Sequence, residues 1–398
     1  MGNKHILMVM PVMKGGGAER VAALLMNEFH KNGCQVEFLL TSSNKDEVIR
    51  NELDENIPLI LLRNRIEKKN SIKAKLMKAY SSLFCRLFEM FGKAVPSRFA
   101  YISFVAQYGK EIKALREVMK SDPEMTLITF LQPSIPMVLL AARGLPNKVI
   151  FSERGNPERL MKHRYGKRFI ERYYSRADKG VFQTEEAKKV YPDNVQKKAV
   201  IIPNPIKENL PKSYHGKRNK NITTFCRISL QKNLPMLINA FALLNKDYSD
   251  YKLRIIGDAL NEEGKKVEDD IKKLIYRLGL EEKVELLPFS SSVHSDIIQD
   301  VMYVNSSDYE GISNAMLEAM SIGLPVVCTD CPVGGAHAAI SDGENGLLVS
   351  VGNSQELYLA MKKVIEDEEL AYQLSCNAAK IRANWGVESI AMKWMELI

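Results

Sequence analysis

Residues 6–40 lay down an apolar run, a glycine loop, a helical repeat and a second apolar run, and that order leaves few folds open. Residues 6–10 are uninterrupted by polar side chains, as in a strand buried on both faces. Gly15, Gly16 and Gly17 come next, and residues 19–31 then carry Val21, Ala22, Leu24, Leu25 and Phe29 at helical spacing. Residues 36–40 are the second strand. Strand, helix and parallel strand form the opening of a doubly wound α/β sheet, whose ligands bind beyond the carboxyl ends of the strands. Residues 127–130, 149–152 and 180–183 read as later strands of this sheet, and residues 199–203 lead out of it.

Pro203-Asn204-Pro205 stops regular structure, and a polar, basic stretch follows to Asn221. A second α/β unit begins there. Strands are expected at 223–225, 252–256, 283–286, 301–304 and 325–328, with helices at 235–244 and 267–278. Residues 388–398 form an amphipathic helix with Trp394 on its apolar side. The division expected is residues 1–204, residues 205–380 and a terminal helical segment, 381–398. A chain of 398 residues suits two domains.

Composition is that of a water-soluble protein, 45% apolar and 26% charged. No run reaches the roughly 18 apolar residues that a membrane span needs. Lys4 and His5 precede an apolar run too short for a secretion signal, so the expected location is the cytoplasm. The six cysteines lack metal-site spacing; Cys328 and Cys331 make one isolated C-x-x-C, and reduced structural thiols are expected. The net charge is +8, yet residues 61–120 alone hold fourteen Lys or Arg against four Glu. The rest of the chain is therefore close to neutral, and the basic segment speaks of an anionic partner or surface.

Chemistry concentrates between Ser307 and Met320. Glu310 and Glu318 bracket seven residues that include Gly311 and the helix N-cap candidates Ser313 and Asn314. Glu310 falls in a loop after a strand, and Glu318 in the first turns of the helix. A helix N-terminus beside a strand end offers unpaired N–H groups and the positive end of a dipole. It suits an anion or sugar hydroxyls, with the carboxylates as hydrogen-bond acceptors rather than a metal cage. Arg227 and Lys232 follow another predicted strand, five positions apart, as a fork and a point charge for an anion.

This pattern resembles the E-x7-E signature of the retaining glycosyltransferases of family 4. Five further stretches fit in the family's order: Gly15-Gly16-Gly17-Ala18-Glu19-Arg20, Phe225-Cys226-Arg227 with Lys232-Asn233, Ile255-Ile256-Gly257-Asp258, Thr329 to Gly335, and Asp342 to Val349. The resemblance implies a GT-B architecture, α/β, with two Rossmann-like domains facing a central cleft and a terminal helix crossing back to the first. It implies Arg227, Lys232 and Glu310 as the catalytic set. Gly16, Gly17, Asn204, Gly257, Leu287, Gly311, Ile312, Ser313, Asn314 and Glu318 are implied around the donor, with Glu310 on the sugar and Glu318 on the ribose. Pro288 stands where many members carry glycine at the base-binding edge. No histidine takes the place that a first-domain histidine occupies in several members, and His337 departs from the usual carboxylate or arginine. Gln132, Glu153 and Arg154 fall in the loops expected on the acceptor side, where Glu153 and Arg154 either orient the acceptor or form a structural ion pair.

The implied reaction moves a hexose or N-acetylhexosamine from a UDP-sugar type of nucleotide-sugar donor to a lipid-linked or oligosaccharide acceptor, in bacterial surface polysaccharide or glycan synthesis. Configuration is retained, and no metal or cofactor is implied. Nucleic acid is not an expected partner. Two rivals stand beside this reading: a sugar-nucleotide epimerase of similar fold, for which proton-transfer residues are wanting, and a non-catalytic nucleotide-sugar-binding subunit. Basic residues between 64 and 120 alternate with Leu76, Met77, Leu83, Phe84, Leu87, Phe88 and Phe91. Such a segment suits either an anionic membrane surface at the inner face of the cell membrane or a helical insertion packed on the domain. The oligomeric state is not legible in the sequence.

Overall fold

A computed structural model describes residues 4–42, 52–66, 97–155, 157–162 and 166–398, with the single positions 79, 83 and 90. Residues 67–96 of the basic segment, apart from those three single positions, lie outside the described residues, and with them Lys68, Lys69, Lys73, Lys75 and Lys78. The chain divides into two units, Met1–Pro205 with Ile390–Ile398, and Ile206–Ser389.

The first unit is a parallel sheet of seven strands. They are β1 (His5–Met10), β2 (Gln35–Leu40), β3 (Leu59–Leu61), β4 (Thr126–Phe130), β5 (Val149–Ser152), β6 (Lys179–Phe182) and β7 (Ala199–Ile201). Their order is β3-β2-β1-β4-β5-β6-β7. Alternate residues of a strand face opposite sides. Leu7, Val9 and Leu127 therefore enter one apolar cluster, and Ile6, Met8 and Ile128 another. The helix Gly17–Lys31 buries Val21, Ala22, Leu25, Met26 and Phe29 against the second cluster. It ends at Gly33, whose φ of +81° suits glycine, while Cys34 N–H donates back to Phe29 O at 3.0 Å.

The second unit repeats the scheme with β8 (Asn221–Phe225), β9 (Lys252–Ile256), β10 (Val284–Leu287), β11 (Met302–Asn305), β12 (Val326–Thr329) and β13 (Leu347–Val349). The order is β10-β9-β8-β11-β12-β13, again all parallel. Ile222, Leu253 and Val304 point to one cluster, and Phe225, Ile256 and Tyr303 to the other. The helix Leu234–Asp247 starts at Asn233, which accepts from Met236 N–H at 3.3 Å and sits at φ +41°. Asn is among the few residues that take this conformation readily.

Three strands depart from the sequence reading. Residues 199–201 pair with β6 as a sheet edge instead of leaving the sheet. β3 and β13 were not anticipated, because three residues at an edge carry no measurable periodicity. The terminal segment also divides later than residue 381. Arg382 donates to Leu210 O at 2.8 Å and Pro211 O at 3.1 Å, and Ile206 N–H to Trp385 O at 2.8 Å, so these residues group with the second unit. From Ile390 the chain packs in the first unit, where Trp394 is fully buried 5.7 Å from the Phe130 ring. Among the described residues no helix is long and apolar enough to cross a membrane.

Candidate functional site

In the second sheet β8 and β11 are neighbours, but the chain leaves β8 toward β9 and leaves β11 toward β12. This reversal of strand order opens a crevice beyond the carboxyl ends of the two strands. The loops that line it are 226–233 and 306–313. They are stitched together: Asp308 N–H donates to Gln231 O at 2.9 Å, Gln231 Nε2 to Tyr309 O at 2.9 Å, and Asn233 Nδ2 to Asp308 Oδ1 at 2.6 Å. Ser306 Oγ adds a bond to Lys232 O at 2.9 Å. Across this seam Lys232 Nζ is bonded to Glu310 Oε1, with both side chains about 15% exposed. Burial lowers the Lys232 pKa, but the Glu310 carboxylate outweighs it and holds the ammonium above the ordinary lysine value. Arg227 stands exposed on the same loop, close enough for its charge to reach Lys232.

A third loop presses on this pair from β12. A Cβ on Gly335 would lie 1.4 Å from Gly311 O, so only glycine permits the approach. Val333 and Gly334 bring the loop there at φ +77° and +68°. A β-branched residue in that region is a genuine outlier, of the kind that a surrounding structure must enforce. Ser307 O anchors the loop by accepting from Thr329 Oγ1 at 2.6 Å and Cys331 Sγ at 3.0 Å. Burial pushes the Cys331 thiol up to about 11, which keeps it a donor, and the five described cysteines are free.

The helix Asn314–Ser321 begins at the crevice, capped by Ser313 Oγ on Met316 N–H at 3.3 Å. Gly311 is partly exposed, Ile312 and Ser313 are buried, and Asn314 is partly exposed. Glu318 is buried one turn in, and His294 Nε2 donates to its Oε2 at 2.8 Å. Gly257 closes the end of β9 at φ +146°, with the place of a Cβ only 1.9 Å from Cys226 O. Its N–H donates to Leu287 O at 2.8 Å, and beyond Leu287 the Phe289 ring is exposed.

The expected residues of the first unit form two separate arrangements. Gln132 Nε2 donates to Glu153 Oε2 at 3.0 Å, and Tyr174 OH also reaches that oxygen at 3.4 Å. Burial pushes Glu153 up to about 7, although both hydrogen bonds pull it down. Arg154 turns the other way. Its guanidinium lies 4.5 Å from the Phe130 ring centre and bonds Asn204 Oδ1, which also accepts from Gln183 Nε2 at 2.7 Å. Burial holds Arg154 down to about 9. Glu153 and Arg154 are thus not the ion pair that was one expectation, and Asn204 serves the Arg154 side chain.

The glycine loop also differs from its sequence reading. Glu19 Oε2 accepts from Lys14 N–H at 2.6 Å and Gly16 N–H at 2.7 Å. A carboxylate of the chain's own therefore occupies the positive end of the Gly17–Lys31 helix, and the N–H of Gly16, one of the residues implied around the donor, points to it. Sequence reasoning missed His294 because its partner lies 24 residues on and no local spacing connects the two. His337 is exposed.

The sequence profile of the family described as "Glycosyl transferases group 1" matches residues 206–381, nearly the whole second unit. A Haemophilus influenzae protein named as an uncharacterized glycosyltransferase is 26% identical over 98% of both chains. The Campylobacter jejuni N-acetylgalactosamine-N,N'-diacetylbacillosaminyl-diphospho-undecaprenol 4-alpha-N-acetylgalactosaminyltransferase is 35% identical over 42% of each chain. Among solved structures, Anabaena HepE in complex with UDP superposes with a TM-score of 0.75 at 18% identity, over 98% of both chains. TarM superposes with a TM-score of 0.73 at 14% identity, over 100% of this chain and 99% of that one. The sheets described above are those of the GT-B fold, and residues 206–381 match the glycosyl transferases group 1 domain.

Proposed function

We propose that this chain is a retaining, family 4 type glycosyltransferase. It transfers a hexose or N-acetylhexosamine from a UDP-sugar to a lipid-linked or oligosaccharide acceptor in bacterial surface polysaccharide or glycan synthesis, working at the inner face of the cell membrane. The observation that carries the reading is the Lys232–Glu310 pair with Arg227 beside it, set at the strand reversal of the second sheet. A departing nucleoside diphosphate gains negative charge as the glycosidic bond breaks. Cations aimed at it stabilise the transition state more than the ground state. Arg227 and Lys232 supply those cations, and Glu310, once Lys232 turns to phosphate, accepts hydrogen bonds from sugar hydroxyls. A phosphate oxygen of the leaving group takes the acceptor proton on the same face of the sugar, so the chemistry asks for no strong protein base and no divalent metal.

The relatives lend support. UDP is bound in the HepE structure, and the Campylobacter enzyme's name places its acceptor on diphospho-undecaprenol. That name, and those of a Bacillus subtilis poly(glycerol-phosphate) alpha-glucosyltransferase and a Staphylococcus aureus poly(ribitol-phosphate) alpha-N-acetylglucosaminyltransferase, specify alpha products. The test begins with a thermal-shift screen of nucleoside diphosphates and their sugars. Release of UDP is then measured with short-chain lipid pyrophosphate-linked sugars, and the new anomeric linkage is read by NMR. An alpha product from an alpha donor is expected. Donor conversion to another nucleotide sugar without an acceptor would favour an epimerase, and binding without any release would favour a binding subunit.

A further inference from the structure

Glu318 sits where a helix normally buries an apolar side chain. Its neighbours on the helix, Leu317, Ala319 and Met320, are all buried, and Glu318 itself is 4% exposed. A carboxylate is almost never held so deep unless it is paired. One partner is His294, on the short helix Val293–Ile297 that follows β10, at 2.8 Å. The His294 ring is itself fixed. It stands edge-on to Phe225 at 5.5 Å between ring centres, and Phe225 packs on Tyr303 at 5.1 Å. Val293 and Ile297 on either side are buried in the same cluster as Met316 and Leu317.

We infer that His294 is a positioning residue for Glu318: it holds the carboxylate in the one orientation that accepts hydrogen bonds from the ribose hydroxyls of the donor nucleotide. This rests on the nucleotide-sugar reading above. An ionised carboxylate only accepts, with about four lone-pair positions on its two oxygens. The Nε2–H of His294 fills a position on Oε2 and fixes the plane of the group. Without it the carboxylate would lose a donor that pins its plane, or draw water into an apolar cluster. A hydrogen bond to a buried charged group is worth enough to fix such an orientation, and the apolar ring contacts keep the imidazole from following the carboxylate.

The experiment compares UDP with 2′,3′-dideoxy-UDP by calorimetry on the full chain, in the parent and in Glu318→Gln, His294→Phe and His294→Gln. GDP, ADP and their dideoxy forms are run alongside in case the base differs. The parent is expected to prefer the ribose form by about tenfold or more, the worth of one hydrogen bond to a charged group. Glu318→Gln and His294→Phe should shrink that preference to about threefold or less, while His294→Gln, which keeps a donor, restores most of it. With donor concentration varied, His294→Phe should raise the donor KM with kcat little changed. Thermal melting reports folding; if His294→Phe melts early, His294→Leu, which also lacks a donor, takes its place. An unchanged ribose preference in a folded variant without the donor would overturn the inference and leave a buried structural pair. Failure of the parent to bind any nucleoside diphosphate would instead overturn the proposed function itself.

Discussion

Lys232, on the loop after β8, and Glu310, on the loop after β11, form an ion pair across the point where strand order reverses in the second sheet. The two residues are 78 apart in sequence, and the sheet topology brings them together. Each thereby neutralises the other while largely withdrawn from water. On the proposed reading, a diphosphate that draws Lys232 away would free Glu310 for sugar hydroxyls, and donor phosphate and donor sugar would be linked through one exchange.

Glu310→Gln tests that exchange. Removing one member of a largely buried pair leaves the other without its counter-charge. Lys232 then loses the carboxylate that holds its pKa above the ordinary value, while burial and the Arg227 charge still lower it. Donor turnover should fall by about a hundredfold or more if Glu310 also contacts the sugar in the transition state. Binding of UDP, which lacks the sugar, should change by about tenfold or less. Steady-state kinetics and calorimetry on the same preparation give both numbers.

Glu153 makes a prediction about stability and pH. Its pKa is raised from an ordinary 4.5 to about 7 by burial. A raised folded value means that its contribution to stability is present in full below about pH 4.5 and is lost as pH rises to about 7. Glu153→Gln cannot ionise, so it should gain on the parent across that window, by up to about 3 kcal/mol at pH 8. Urea unfolding at pH 5 and pH 8 measures the difference. An equal difference at both values would mean that Glu153 does not titrate differently in the folded chain.

Gly335→Ala should harm the site from a position that bears no functional group. Its methyl would overlap Gly311 O, so either loop must move. Overpacking of this kind costs about 1–3 kcal/mol. The expected result is a modest drop in Tm with a much larger loss of donor binding, because the displaced segment carries Glu310 and Gly311. A variant with lowered Tm and parental donor binding would show that the loop only supports the fold.

Turnover is expected to survive exhaustive chelation. The basis is the cationic pair Arg227 and Lys232 at the proposed diphosphate site. Loss of activity with a chelator, restored by Mg or Mn, would contradict it.

Much of the fold was legible because buried parallel strands are written as short, unbroken apolar runs. Residues 149–152 and 252–256 match β5 and β9 at both ends. β3 and β13 were not, since three-residue edges leave no period to read. Within the second unit, the E-x7-E stretch located Glu310 and Glu318 on the correct loop and helix. It could not reveal what each carboxylate touches, because Lys232 and His294 come from other strands' loops. In the first unit, the glycines were visible but the use of the Gly16 N–H by Glu19 was not. Adjacent opposite charges at Glu153 and Arg154 suggested a pair. Backbone alternation at the end of β5 instead sends one to Gln132 and Tyr174 and the other to Asn204.

The central claim is that Arg227 and Lys232 act on the departing diphosphate. The most direct measurement is single-turnover UDP release by the parent, Arg227→Ala and Lys232→Ala, with donor affinity determined by calorimetry on the same samples. Each variant is predicted to lose about 10²–10³-fold in rate, the usual effect of deleting one contact to developing charge, with donor affinity changed by about tenfold or less. Parental rates of release in both folded variants would contradict the account.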